Sequence, residues 1–137
     1  MSVKSRKRNQ VLLVIALLFA GLIFLLVKVN QPVADGPLKG KTAVVYRSIT
    51  CGCCANYISY LRRAGVQVEE KISEDMPAIK KQFGVPGDLT SCHTMIIDNY
   101  VVEGHVPTEA IIKLLTERPA IAGIALPNMP AGSPGMP

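Results

Sequence analysis

The chain has 137 residues and a formal net charge of +5, enough for one modest domain and too few for several large cores. The excess charge sits at one end. Lys4, Arg6, Lys7, Arg8 and Lys28 come with no acidic residue before Val29, and from Val29 onward ten basic residues balance ten acidic ones. No basic face is left for the folded part, so nucleic acid is excluded as a partner.

Val11 to Val27 is an unbroken apolar run behind those basic residues. At about 1.5 Å per residue it comes close to the ~30 Å hydrocarbon core, with Lys28 able to snorkel. Residues 1–29 are therefore expected to be a basic N-terminus and transmembrane anchor. Basic residues ahead of the run hold that end in the cytoplasm and send the rest across the inner membrane. The competing expectation is a cleaved export signal. Its apolar region would be shorter, and Pro32-Val33-Ala34 makes a poor cleavage site. Both place the remainder in an extracytoplasmic, periplasmic setting, where thiols meet oxidants and metal ions. Residues 30–40, with Pro32, Gly36 and Pro37, read as a linker.

The predicted elements of the domain, residues 41–118, follow in order. Thr42 to Tyr46 is a short β-branched run of the buried-strand kind. After a cysteine loop, Tyr57, Ile58 and Leu61 recur at helical spacing, with Arg62 and Arg63 turned away and Gly65 as the αL stop. Val66 to Ile72 alternates as a second strand. Ser73 is the expected N-cap of a helix carrying Pro77, Ile79 and Phe83, ended by Gly84-Val-Pro86. Met95-Ile-Ile97 and Tyr100-Val-Val-Glu103 flank Asp98-Asn99, a two-residue hairpin signal. Pro107 and Thr108 lead into a helix with Ile111, Ile112, Leu114 and Leu115. Residues 119–137, rich in Pro and Gly with Met129 and Met136 as soft donors, are expected to be an extended tail. The order β-α-β-α-β-β-α, with a cysteine motif between the first strand and first helix, resembles the thioredoxin-like fold, an α/β class.

The chemistry lies in Thr50-Cys51-Gly52-Cys53-Cys54 and Ser91-Cys92-His93-Thr94. Thiolates select Cu(I), Zn(II) or iron–sulfur clusters, and close thiols also exchange disulfides. Cys51 and Cys54 have C-x-x-C spacing at a helix N-terminus, where dipole and free N–H groups stabilise thiolate. Cys53 discriminates, because a third thiol between a redox pair invites wrong pairings. Adjacent cysteines suit a cluster whose thiolates bridge several ions better than one tetrahedral ion. Cys92, ahead of the third strand, would land beside the other three if the fold is thioredoxin-like. Metal is the favoured reading, with Cys51, Cys53, Cys54 and Cys92 as ligands and no catalytic residue assigned. Two structural disulfides, Cys51–Cys54 with Cys53–Cys92, are the alternative an exported chain allows. A thiol–disulfide oxidoreductase using Cys51 and Cys54 is the rival enzyme. His93 and His105 stand as secondary ligands or as hydrogen-bonded structural histidines, and Met95 as a core residue.

Cys51-Gly-Cys-Cys54, Gly84-Val-Pro86, Leu89-x-Ser-Cys-His-Thr94, Glu103-Gly-His-Val-Pro107 and Met129-Pro-x-Gly-Ser-Pro-Gly-Met136 together resemble, in order, the CopG-type copper-resistance family. The likeness spans about Lys41 to Met136. It implies a periplasmic, thioredoxin-like protein that binds Cu(I) through Cys51, Cys53, Cys54 and Cys92. It also implies copper tolerance alongside copper or silver efflux and chaperone components, with Ag and Zn as lesser candidate ions. Storage, delivery and copper redox conversion stay open. Tyr57 stands where members often carry tryptophan, and the apparent anchor stands where many have a cleaved signal.

Overall fold

The computed structural model describes residues 12–21, 23 and 37–136. Residues 12–21 are helical (α1) and belong to a compact unit of their own, Met1–Pro32, separate from Val33–Pro137. Among the described residues no helix is long and apolar enough to cross a membrane. The expected anchor falls in large part on residues outside those described.

The second unit is a mixed α/β domain. Its order is β1 (Thr42–Arg47), α2 (Gly52–Arg63), β2 (Gln67–Ile72), α3 (Met76–Gln82), a 3₁₀ turn (Gly87–Leu89), β3 (His93–Ile97), β4 (Tyr100–Gly104), α4 (Thr108–Glu117) and β5 (Gly123–Leu126). The five strands form one sheet in the order β2-β1-β3-β4-β5. β1 runs parallel to β2 and antiparallel to β3, β3 antiparallel to β4, and β4 parallel to β5.

Most predicted elements form for the reasons the sequence offers. Gly65, at φ +96°, closes α2 in a Schellman arrangement: its N–H donates to Arg62 O and that of Val66 to Leu61 O. A Cβ there would meet the Lys39 backbone nitrogen at 2.9 Å. Asp98 and Asn99, both at positive φ, make the expected tight β3–β4 turn. Tyr57, Ile58 and Leu61 of α2 and Ile111, Leu114 and Leu115 of α4 join Ala43, Val45, Met95, Ile97 and Val102 in one core cluster.

Three expectations change. Ser73 is not the N-cap of α3. Its hydroxyl accepts from the Asp75 N–H, and Asp75 caps the helix by accepting from the Ala78 N–H at 2.9 Å. The linker's last residues, 37–40, form a turn whose Leu38 is buried in the core and donates its N–H to Ala64 O. The expected tail supplies β5, a fifth strand beyond the predicted order. Gly123 permits it, since a Cβ there would lie 1.8 Å from Val101 O.

Register positions the site. Arg47, the last residue of β1, lies opposite His93, the first of β3, and Thr94 lies opposite Glu103 near the end of β4. The chain leaving β1, entering β3 and leaving β4 therefore shares one end of the sheet. The cysteine loop, Cys92-His93 and His105 all lie there.

Candidate metal centre

The cysteine loop is held by Arg47. Its guanidinium donates to Ser48 O at 2.8 Å and Ile49 O at 3.3 Å, and its Nε donates to Glu70 at 2.6 Å. Cys51 then occupies the N-cap of α2 with extended backbone and no side-chain cap bond. Sulfur thus stands where a hydroxyl or carboxylate usually would, next to helix N–H groups that favour thiolate. Cys51 and Cys54 are joined in a disulfide, and Cys53 Sγ lies 3.5 Å from Cys51 Sγ. Cys53 and Cys92 are free thiols, so of the two bridges an exported chain allows only the first is formed.

Cys92 is positioned from the opposite face of the sheet. Glu103, 1% exposed, accepts from the Ser91 N–H at 2.6 Å, from Thr94 Oγ1 at 2.7 Å and from Lys80 Nζ. This buried carboxylate fixes the turn that carries Cys92. Cys92 Sγ in turn lies 3.3 Å from His93 Nδ1 and 3.1 Å from His105 Nε2. Burial, then the neighbouring Cys53, push the Cys92 thiol up to about 11. Burial, then His105 and Lys80, push His93 down to about 3. His93 is neutral at ordinary pH and so available as a ligand.

Two donor sets result. The sulfurs of Cys51, Cys53, Cys54 and Cys92 all lie within 4.8 Å of one another, and so do the donor atoms of Cys54, Cys92, His93 and His105. All six predicted site residues, including the two secondary histidines, therefore converge on one place. Sequence reasoning missed the residues that hold them. Tyr57 packs its ring 4.7 Å from His93 and 5.0 Å from His105, and donates its hydroxyl to Val106 O at 2.7 Å. Pro134 O bonds His105 Nδ1 at 2.6 Å. The Glu103–Lys80 pair is signalled only by Glu103, a lone charge in an apolar strand, since Lys80 sits beside Lys81 and Gln82.

Two solved structures titled "Copper resistance protein copG", forms 2 and 1, are 45% and 46% identical to the chain, with TM-scores of 0.68 and 0.66. They cover 71% and 70% of this chain and are covered over 77% and 76% of their own length. The chain belongs to the CopG copper-resistance family. A family profile described as "Protein of unknown function, DUF411" also matches residues 89–136, about the last third of this CopG-family chain, which holds Cys92, His93 and His105. A search of curated proteins finds no match.

Proposed function

We propose that this CopG-family protein is an extracytoplasmic Cu(I)-binding protein with a thioredoxin-like fold that contributes to copper tolerance. Cys51, Cys53, Cys54 and Cys92 would hold Cu(I) in a thiolate cluster once Cys51–Cys54 is reduced. The observation that carries the reading is that the four sulfurs all lie within 4.8 Å of one another, close enough for thiolates to bridge ions. Soft thiolate selects Cu(I), and the copper-resistance relatives favour copper over silver or zinc. The parallel β1–β2 pair, the antiparallel β3–β4 hairpin and the cysteine motif opening α2 support the thioredoxin-like assignment.

Helix α1 exposes apolar side chains throughout, Leu12 and Leu18 among them. An all-round apolar helix suits lipid better than water. With its basic flank, the run supports a membrane-anchored periplasmic location, from which copper is sequestered, handed to efflux or chaperone components, or redox-converted. Anaerobic Cu(I) titration of the reduced protein tests the cluster. More than one copper per chain, lost together in Cys53→Ser or Cys92→Ser, is the expected result. One ion or none would end the reading.

The Cys51–Cys54 disulfide at the start of α2 favours a second reading, a thiol–disulfide oxidoreductase. Its signature is insulin reduction that survives Cys53→Ser and Cys92→Ser.

A further inference from the structure

The two edges of the sheet are built differently. β2 closes one edge, where Glu69, Glu70 and Lys71 are exposed and Glu69 pairs with Lys71 at 3.3 Å. Charged side chains along an edge keep a further strand from adding to it. β5 closes the other edge as Gly123-Ile-Ala-Leu126, uncharged and half-buried throughout, with Ile121 exposed just before it. Among the described residues nothing pairs with that outer edge. Its backbone is ready to pair. The Val101 N–H donates to Ala122 O, so in the parallel β4–β5 ladder Ile124 also turns its N–H and C=O toward β4, and Gly123 and Ala125 turn theirs outward.

Grooves flank this strand on both faces of the sheet. Tyr46 meets the Phe83 ring, while its β1 neighbour Val45 packs with α2 and α4, so α3 covers one face and α4 the other. On the α4 face Val106, Ala110, Leu114 and Ile121 line a groove of about 360 Å³ along Ile124 and Leu126. On the α3 face Phe83, Val85, Leu89 and Val101 line one of about 190 Å³ along Gly123 and Ala125. A strand added to the edge sends alternate side chains over the two faces. β5 itself carries the matching alternation, with the larger Ile124 and Leu126 for the roomier face and Gly123 and Ala125 for the tighter one.

Charge selects the same occupant. Lys113 and Glu117 stand on the α4 rim of the larger groove, exposed and 4.0 Å apart. A two-fold axis near Ile124 reverses α4 against its copy and brings each Lys113 toward the other chain's Glu117. An acidic or a basic strand would answer only one of the two charges. We propose that β5 is a dimerisation edge: it pairs antiparallel with β5 of a second copy of this chain and joins two five-stranded sheets into one continuous sheet. Around the axis, Gly123 of each copy faces Ala125 of the other, and the outward N–H and C=O groups exchange hydrogen bonds.

The test is the mass of the full-length chain in density-matched detergent, read by sedimentation equilibrium over a concentration series without added metal. The expected result is two chains per particle as concentration rises. Ala125→Pro should abolish association and keep the melting temperature, because it removes an outward N–H and none bonded to β4. Lys113→Glu and Glu117→Lys should each weaken association at least ~10-fold, and the double exchange should restore it. Both side chains are exposed, so the charge exchange decides the matter even if the proline variant does not fold. A single-chain mass throughout overturns the proposal. So does a dimer indifferent to Ala125→Pro and to both charge changes, which would form through α1 or another surface. Copper takes no part in any arm, so the outcome is independent of the Cu(I) titration.

Discussion

The two halves of the centre are built by different physics. Cys51, Cys53 and Cys54 come from one loop at a helix N-terminus, within reach of each other by sequence alone, and two of them are partly exposed. Cys92, His93 and His105 come from the start of β3 and the end of β4. Behind them stand a buried ion pair, a tyrosine ring and a carbonyl eight residues after β5. The first half is local in sequence, with Cys51 and Cys53 partly exposed and only Cys54 buried. The second half is held by the fold, so it persists when the first is bridged.

The sharpest way to break that contrast is Glu103→Ala. It strands Lys80 in a buried site and frees the Ser91 N–H. A loss of about 3–5 kcal/mol is expected, read as a lowered midpoint in urea unfolding, with Cys92 becoming more reactive to alkylation. An unchanged midpoint would show that the ion pair does not hold this half.

Gly104→Ala comes next. At φ +79° its Cβ would meet Ser91 Oγ at 2.6 Å and Leu126 O at 2.7 Å. About 2–3 kcal/mol should be lost, measurable as a lower melting temperature. A melting temperature equal to wild type would mean that β4, β5 and the Ser91 turn can separate at no cost.

Acid should also act on the second half. The folded chain keeps His93 neutral, at about 3, where the unfolded chain protonates it near 6.5. Stability from this group is complete above about pH 6.5 and is lost as pH falls toward 3, at ~1.4 kcal/mol per unit. Metal-free protein should lose about 2 kcal/mol between pH 6.5 and 5, and His93→Gln should flatten that slope. A slope identical in the variant would assign it to other groups.

The smallest effect belongs to the first half. Gly52 has open space around its Cβ position and ordinary φ. Gly52→Ala should therefore change stability by no more than ~0.5 kcal/mol and leave the thiol count at two. A larger loss would reveal packing around the loop.

The same division explains what could be read from the sequence. Cysteine spacing, the Gly65 stop and the Asp98-Asn99 turn are local signals, set by backbone sterics within a few residues. Cys92 joins the site through strand register, which becomes legible once a fold is assumed. The roles of Tyr57, Glu103, Lys80 and Pro134 depend on contacts 9 to 49 residues apart in sequence, and no periodicity encodes them. β5 was masked by the Pro- and Gly-rich composition around it. Its short apolar run pairs with β4 only because Gly123 lets the two backbones approach.

The bond from His105 to the Pro134 carbonyl has a practical consequence for anyone producing this protein. An affinity tag placed next to Pro134 would sit beside the carbonyl that orients a buried imidazole. A polyhistidine tag there would pull on that carbonyl and add competing imidazoles next to the donors being titrated. Metal stoichiometries from such a fusion would describe the tag as much as the protein, so any tag should be removed by protease before loading.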